Sequence, residues 1–215
     1  MRWKPPRRRC WWRRALRWLD DIEALEALYG AASANSLRKV ARRMTPAYRQ
    51  WIAASRFVVV ASVGPEGTDA SPRGDDGPVV LELDPGTLAM PDWRGNNRLD
   101  TLRNLIGDPR ISLMFMVPGE MSVVRVNGRA RITDDAGLVA RFEKAGKRPA
   151  TVIVVEIAEI YAQCAKALMR AGIWGRNEAE RVPSLGAILS EMTQGDVDGT
   201  AFDAAWPARA QETFW

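Results

Sequence analysis

Short apolar runs cut by turn residues fill the middle of the chain. Phe57 to Val63 reads FVVVASV, rich in β-branched side chains and too short for a helix, so it predicts a buried strand. Gly64-Pro65-Glu66-Gly67 is a turn, and Thr68 to Ser71 returns as the second arm of a hairpin. Further strands are predicted at Val79 to Leu83, Thr87 to Met90, Ile111 to Val117, Val123 to Ile132 and Thr151 to Ile160. Helical spacing appears at Leu19 to Leu28, where Asp20, Asp21 and Glu23 sit at the start and Gly30 is the stop. It recurs at Ser36 to Arg43 and at Pro46 to Ala54, the latter opened by Thr45 as N-cap and Pro46 at the first helical position. Helices are also predicted at Leu99 to Ile106, Leu138 to Ala145, Ala162 to Ala171, Pro183 to Met192 and Asp203 to Thr213.

Many short strands with few inserted helices predict a mainly β protein, an antiparallel barrel rather than a doubly wound sheet. The expected organisation is a tail over residues 1–18 and one domain over 19–215. Within that domain, 19–56 holds N-terminal helices, 57–160 the barrel and 161–215 a C-terminal helical extension. No stretch of about 18 apolar residues exists, so no transmembrane helix is expected.

Charge changes the reading of the tail. The chain carries 31 Lys and Arg against 26 Asp and Glu, a net charge of +5. Eight of the bases (Arg2, Lys4, Arg7, Arg8, Arg9, Arg13, Arg14 and Arg17) lie in the first 18 residues, among Trp3, Trp11, Trp12 and Trp18 and no acid. The remainder has 23 bases against 26 acids, a net of −3. Basicity is therefore a property of the tail, and no nucleic-acid partner is expected for the body. The tail reads as a disordered extension or an over-called start; binding to nucleic acid or to an anionic membrane surface and a targeting role are its other readings, although it lacks the apolar run of a secretory signal.

Composition also limits the chemistry. With no histidine, there is no Ser-His-Asp or Cys-His apparatus and no HExxH zinc site. Two cysteines, Cys10 and Cys164, are too few for a structural zinc site or a disulfide framework. Low cysteine fits a reducing, cytoplasmic compartment, no metal is expected, and Cys164 reads as a small buried hydrophobe. Hard chemistry then falls to carboxylates, Lys, Arg, Tyr or an organic cofactor.

Three clusters are candidates for a site. Pro91-Asp92-Trp93-Arg94-Gly95-Asn96-Asn97-Arg98 lies between a short strand and the helix from Leu99. The first N–H groups of a helix lack internal partners, and Arg94 and Arg98 offer guanidinium forks, so the segment suits a phosphate, with Asn96 or Asn97 as helix cap. The alternative is that Asn97 only caps while the arginines pair with Asp92 and Asp100. Ser71-Pro72-Arg73-Gly74-Asp75 adds Arg73 as a third positive group, or a turn salt bridge to Asp75 or Asp76. The third cluster, Cys164 to Arg170, sets Lys166 and Arg170 on one helix face, as an anion clamp or a solvated face.

Taken in order, SPRGD (Ser71–Asp75), LAMPDWRGNNRLDTLRN (Leu88–Asn104), DPRISLMFMVPG (Asp108–Gly119), VRVNGRARI (Val124–Ile132) and CAKALMR (Cys164–Arg170) with Trp174 resemble the FMN-binding split-barrel proteins related to pyridoxamine 5′-phosphate oxidase. The resemblance runs from about Leu19 to Trp215. It implies a six-stranded Greek-key split barrel and a homodimer with FMN at the subunit interface. It further implies an FMN-dependent oxidoreductase acting on an unknown small-molecule substrate, with a flavin or haem carrier or sensor as the alternative. By the same resemblance, Arg73, Asn97 and Arg98 fall on phosphate-gripping positions, with Arg94 and Asn96 close by. Met90 and Pro91 fall at the flavin ring edge, and Lys166 or Arg170 approaches the flavin from the second subunit. Two positions depart from the pattern: Gln163 stands where a histidine is usual, and Trp93 where a charged residue is common.

Overall fold

A computed structural model describes residues 16–214. The predicted tail, with Cys10, lies outside them except for its last three residues. Residues up to Arg38 form one compact unit, and those from Lys39 onward form another. In the first, α1 (Ile22–Tyr29) starts at Asp21, whose side chain accepts from Ala24 N at 2.6 Å, and stops at Gly30 in a positive-φ conformation. α2 (Ala34–Arg38) follows. It is shorter than the expected helix to Arg43, because Ala41 instead makes an isolated antiparallel bridge to Ile160.

The second unit opens with α3 (Pro46–Ala53), capped by Thr45 as predicted. The strands are β1 (Phe57–Gly64), β2 (Gly67–Gly74), β3 (Leu81–Asp84), β4 (Thr87–Asp92), β5 (Arg110–Met116), β6 (Val123–Thr133) and β7 (Thr151–Gln163). Between them lie α4 (Asp100–Gly107) and α5 (Ala136–Ala140). After β7 come α6 (Lys166–Ala171), one 3-10 turn, α7 (Leu185–Met192) and α8 (Gly199–Thr213). Every strand pairing is antiparallel, in the order β2-β1-β5-β6-β7-β4-β3. The sheet is mainly β architecture as expected and is not closed by backbone pairing; seven strands are paired where the resemblance implies six.

Side-chain alternation aims one face inward. Val58 and Val60 on β1, and Ile111, Leu113 and Phe115 on β5, are buried at every second position. They join Leu88, Met90, Val124, Val126, Ile153, Val155 and Ile160 in one core. β7 is the longest strand and serves two partners: Thr151 to Glu156 pairs with β4, Val152 to Glu156 pairs with β6 on the other side as well, and the rest continues along β6. A bulge at Asn127/Gly128 bends this pairing, and Gly128 is required there: a Cβ would stand 2.0 Å from the Glu156 oxygen.

Several boundaries differ from expectation. Ala162 and Gln163 are strand, held by pairing to Val124 and Val123, so α6 begins only at Lys166. The helix expected over 138–145 is α5, started by the Asp135 carboxylate accepting from Leu138 N, and the chain then turns tightly between Lys144 and Lys147. α8 starts at Gly199 rather than Asp203, because Asp198 caps it through Ala201 N at 3.0 Å. No helix among the described residues is long and apolar enough to cross a membrane.

Phe115 is wholly buried in the core. Phe115→Ala is expected to lower stability by about 3–5 kcal/mol, read as a fall in the urea unfolding midpoint at constant slope.

Candidate functional site

The site grows out of a polar inward face. On β2 the half-buried positions are Asp69, Ser71 and Arg73, alternating with exposed ones. An edge strand with polar residues facing in cannot extend the apolar core. Arg73 instead reaches across to β4, where its Nη1 pairs with Asp92 Oδ1 at 2.5 Å. Both side chains are mostly buried, and the Arg73 Nε is buried with no hydrogen-bond partner.

β4 contributes a backbone edge. Its pairing with β3 ends at Ala89, while its pairing with β7 runs on to Asp92. Met90 to Asp92 therefore have ladder partners on one side only. The chain then loops from Trp93 to Leu99 before α4. Asn97 (φ 58°) and Leu99 (φ 60°) are both left-handed. Asn tolerates that conformation, whereas for Leu it is strained. The expected cap does not form: Asn96 Oδ1 accepts from Arg98 N at 3.1 Å and tightens the loop, while Leu99 is the N-cap and offers no side-chain bond. Thr101 fastens the first turn of α4 to β2 through Asp69, Oγ1 to Oδ2 at 3.2 Å. Arg98 pairs with Asp100 at 2.8 Å, as in the alternative reading, but both remain largely exposed.

A clamp missed in the sequence holds the far wall. The Asp75 side chain, only 4% exposed, accepts from Gly77 N at 2.8 Å, from Trp93 Nε1 at 3.2 Å and from the Lys144 ammonium. Arg73 does not take Asp75 or Asp76; Lys144 takes both. Burial opposes the Lys144 charge, but the hydrogen bonds to Asp75 and Asp76 outweigh it and hold the group above its ordinary 10.5. The hydrogen bond from Lys144 likewise draws Asp76 below 3.8. The turn carrying Lys144 also delivers Lys147 and Arg148. Its Ala-Gly-Lys-Arg-Pro sequence, with Gly146 and Pro149 as breakers, was the available signal for a basic turn.

These parts surround an open cleft of about 1540 Å³. It brings together Arg73, Met90, Pro91, Arg94, Asn96, Asn97 and Arg98, and adds Trp93, Lys147, Arg148, Thr151 and Phe214. Thr151 Oγ1 is a second buried polar atom without a partner. Lys166 and Arg170 are exposed on α6 and are not among the lining residues. Cys164 is exposed, which corrects its reading as a buried hydrophobe: it follows the end of β7, past the last residue paired with β6. The neighbouring segment is anchored by Trp174 Nε1 donating to the Glu120 carbonyl at 2.8 Å.

A family model described as pyridoxamine 5′-phosphate oxidase matches residues 44–164. No curated protein matches the chain. Among solved structures, the chain is similar to HupZ of Group A Streptococcus at 15% identity, covering 55% of this chain and 94% of that one (TM-score 0.45). It is similar to general stress protein 26 of Bacillus anthracis at 15% identity, covering 53% and 88% (TM-score 0.39). It is also similar to a FAD-binding protein of Mesorhizobium loti at 15% identity, covering 58% and 98% (TM-score 0.38).

Lys144→Met leaves Asp75 buried without its cation and is expected to cost about 2 kcal/mol. The depressed Asp76 contributes stability above 3.8 that fades as pH falls through its lowered value. The raised Lys144 contributes below 10.5 and fades as pH rises through its higher value. The stability gap between wild type and variant, measured by denaturant titration, is therefore expected to be widest between about pH 5 and 9 and to close at both extremes.

Proposed function

Because the chain belongs to the pyridoxamine 5′-phosphate oxidase family, we propose that it is an FMN-dependent oxidoreductase whose cofactor lies in the cleft between β2, β4 and the start of α4. The observation that carries this reading is Arg73. Its guanidinium is held in place by Asp92, yet its Nε is buried in the cleft lining with no partner. A buried donor left unpaired is costly, and a phosphate oxygen removes that cost.

The other residues fit the same group. Arg94 and Arg98 line the cleft, and α4 begins there with no side chain capping its first turn. Helix polarity and the arginines together favour an anion, although Asp100 in that first turn offsets part of the field. Asn96 and Asn97 set the loop that aims Arg98. The one-sided pairing of Met90 to Asp92 leaves backbone groups to meet a planar ring; Pro91 offers only its carbonyl. Thr151 Oγ1 is a further donor or acceptor awaiting a partner.

When bound, a flavin supplies hydride or electron transfer, which the side chains here cannot perform alone. The protein's part is to bind, orient and exclude water. With no histidine in the chain, Gln163 offers an amide where an imidazole would move protons. In this reading the open sheet is the family's Greek-key split barrel and works as a homodimer. Lys166 and Arg170, which are not among their own cleft's lining residues, belong to the second subunit's site, and the substrate is a small molecule reaching the ring.

Purified protein mixed with FMN is expected to retain a yellow flavin absorbance through gel filtration. Protein that stays colourless overturns the reading. Arg98→Ala is expected to weaken FMN binding about tenfold or more while leaving the melting temperature unchanged, since that side chain is 74% exposed.

A further inference from the structure

The cleft has one wall from far along the chain. Ser184 caps α7 through Ala187 N, Asp198 caps α8, and the two helices cross at Gly186 and Gly199. The crossing is so close that a Cβ on Gly186 would stand 2.1 Å from the Gly199 oxygen. Gly186 N also donates to Asp203 Oδ1 at 2.8 Å, which fixes α8 against α7. The last turn of α8 then reaches the cleft: Lys147 Nζ donates to the Glu212 carbonyl at 3.2 Å, and Phe214 lines the opening.

This contact sets a negative helix end on a wall whose two cations are already engaged: Arg148 pairs with Glu143 at 2.6 Å, and Lys147 donates to the helix end itself. Peptide dipoles add along a helix, so the carbonyl end of a 15-residue helix carries roughly half a negative charge. Glu212 adds a full charge in the same turn. Lys147 donates to that helix end, so its charge is partly offset there.

On the reading that the cleft holds a flavin, we propose that the end of α8, through Glu212 and Phe214, is a specificity determinant that favours a mononucleotide over a dinucleotide. In a mononucleotide all the phosphate charge sits at one terminal group, which the three arginines can hold. In a dinucleotide it is spread over two phosphates, and a further nucleoside must be housed beyond them. Phe214 takes up part of the cleft that this extension needs. The negative helix end with Glu212 disfavours a phosphate displaced from the arginines.

The test compares dissociation constants for FMN and FAD, by flavin fluorescence, in wild type, Phe214→Ala and Glu212→Lys. Both side chains are exposed, so neither change removes core packing. Wild type is expected to bind FMN more tightly than FAD, and each variant to narrow that ratio by about threefold or more, chiefly by tightening FAD. FMN bound with the ratio unchanged in both variants, or wild type binding FAD as tightly as FMN, overturns the inference and leaves the flavin reading standing. Binding of neither flavin removes both.

Discussion

The ion pair between Arg73 and Asp92 joins two strands that the backbone ladder keeps far apart. β2 is one edge of the sheet and β4 lies next to the other, with β1, β5, β6 and β7 between them. For the pair to form at 2.5 Å the sheet has to curl on itself. Where the inward face is apolar, curling encloses the core. Where it is polar, as on β2, it leaves a cleft whose walls carry charge. Core and cleft are thus two outcomes of one bend, separated by what the sequence places at alternate positions.

A network of anchors keeps that cleft in shape. Asp69 ties β2 to α4 through Thr101, and Asp75 gathers Gly77, Trp93 and Lys144. The strained Leu99 conformation persists because these bonds fix the loop on either side. Arg73 is thus ordered by Asp92 before any anion arrives, which lowers the entropy that binding one would cost.

Much of this was legible in the residues. Short apolar, β-branched runs located six of the seven strands, and the Gly64–Gly67 turn placed β2 as the returning arm of a hairpin. The cluster from Pro91 to Arg98 and the arginine of SPRGD were legible because turn residues, Gly and Arg concentrate there. The partners of those residues were not. Asp92 pairs with Arg73 rather than Arg94, and Lys144 takes Asp75, because contacts across a curled sheet depend on which strands meet, not on spacing in the chain. The helix boundaries at Arg38 and Lys166 shifted for a similar reason: a bridge and ladder pairs from distant segments outweighed local propensity, whereas beyond Ala140 the chain enters the local turn between Lys144 and Lys147. Phe214 lay beyond any local signal, since a residue that closes a cleft from another arm of the fold has no pattern of its own.

The sharing of β7 between β4 and β6 bears on how the molecule is made. Synthesis delivers β1 to β4 first, and they can form only the β1–β2 and β3–β4 hairpins. β4 meets β7 only after about sixty further residues have been added, and contacts of such long sequence separation form slowly. Until β7 leaves the ribosome, Arg73 and Asp92 belong to separate hairpins. The cleft is therefore among the last features to take shape, and a growing chain exposes the apolar faces of β1 and β4 throughout that interval.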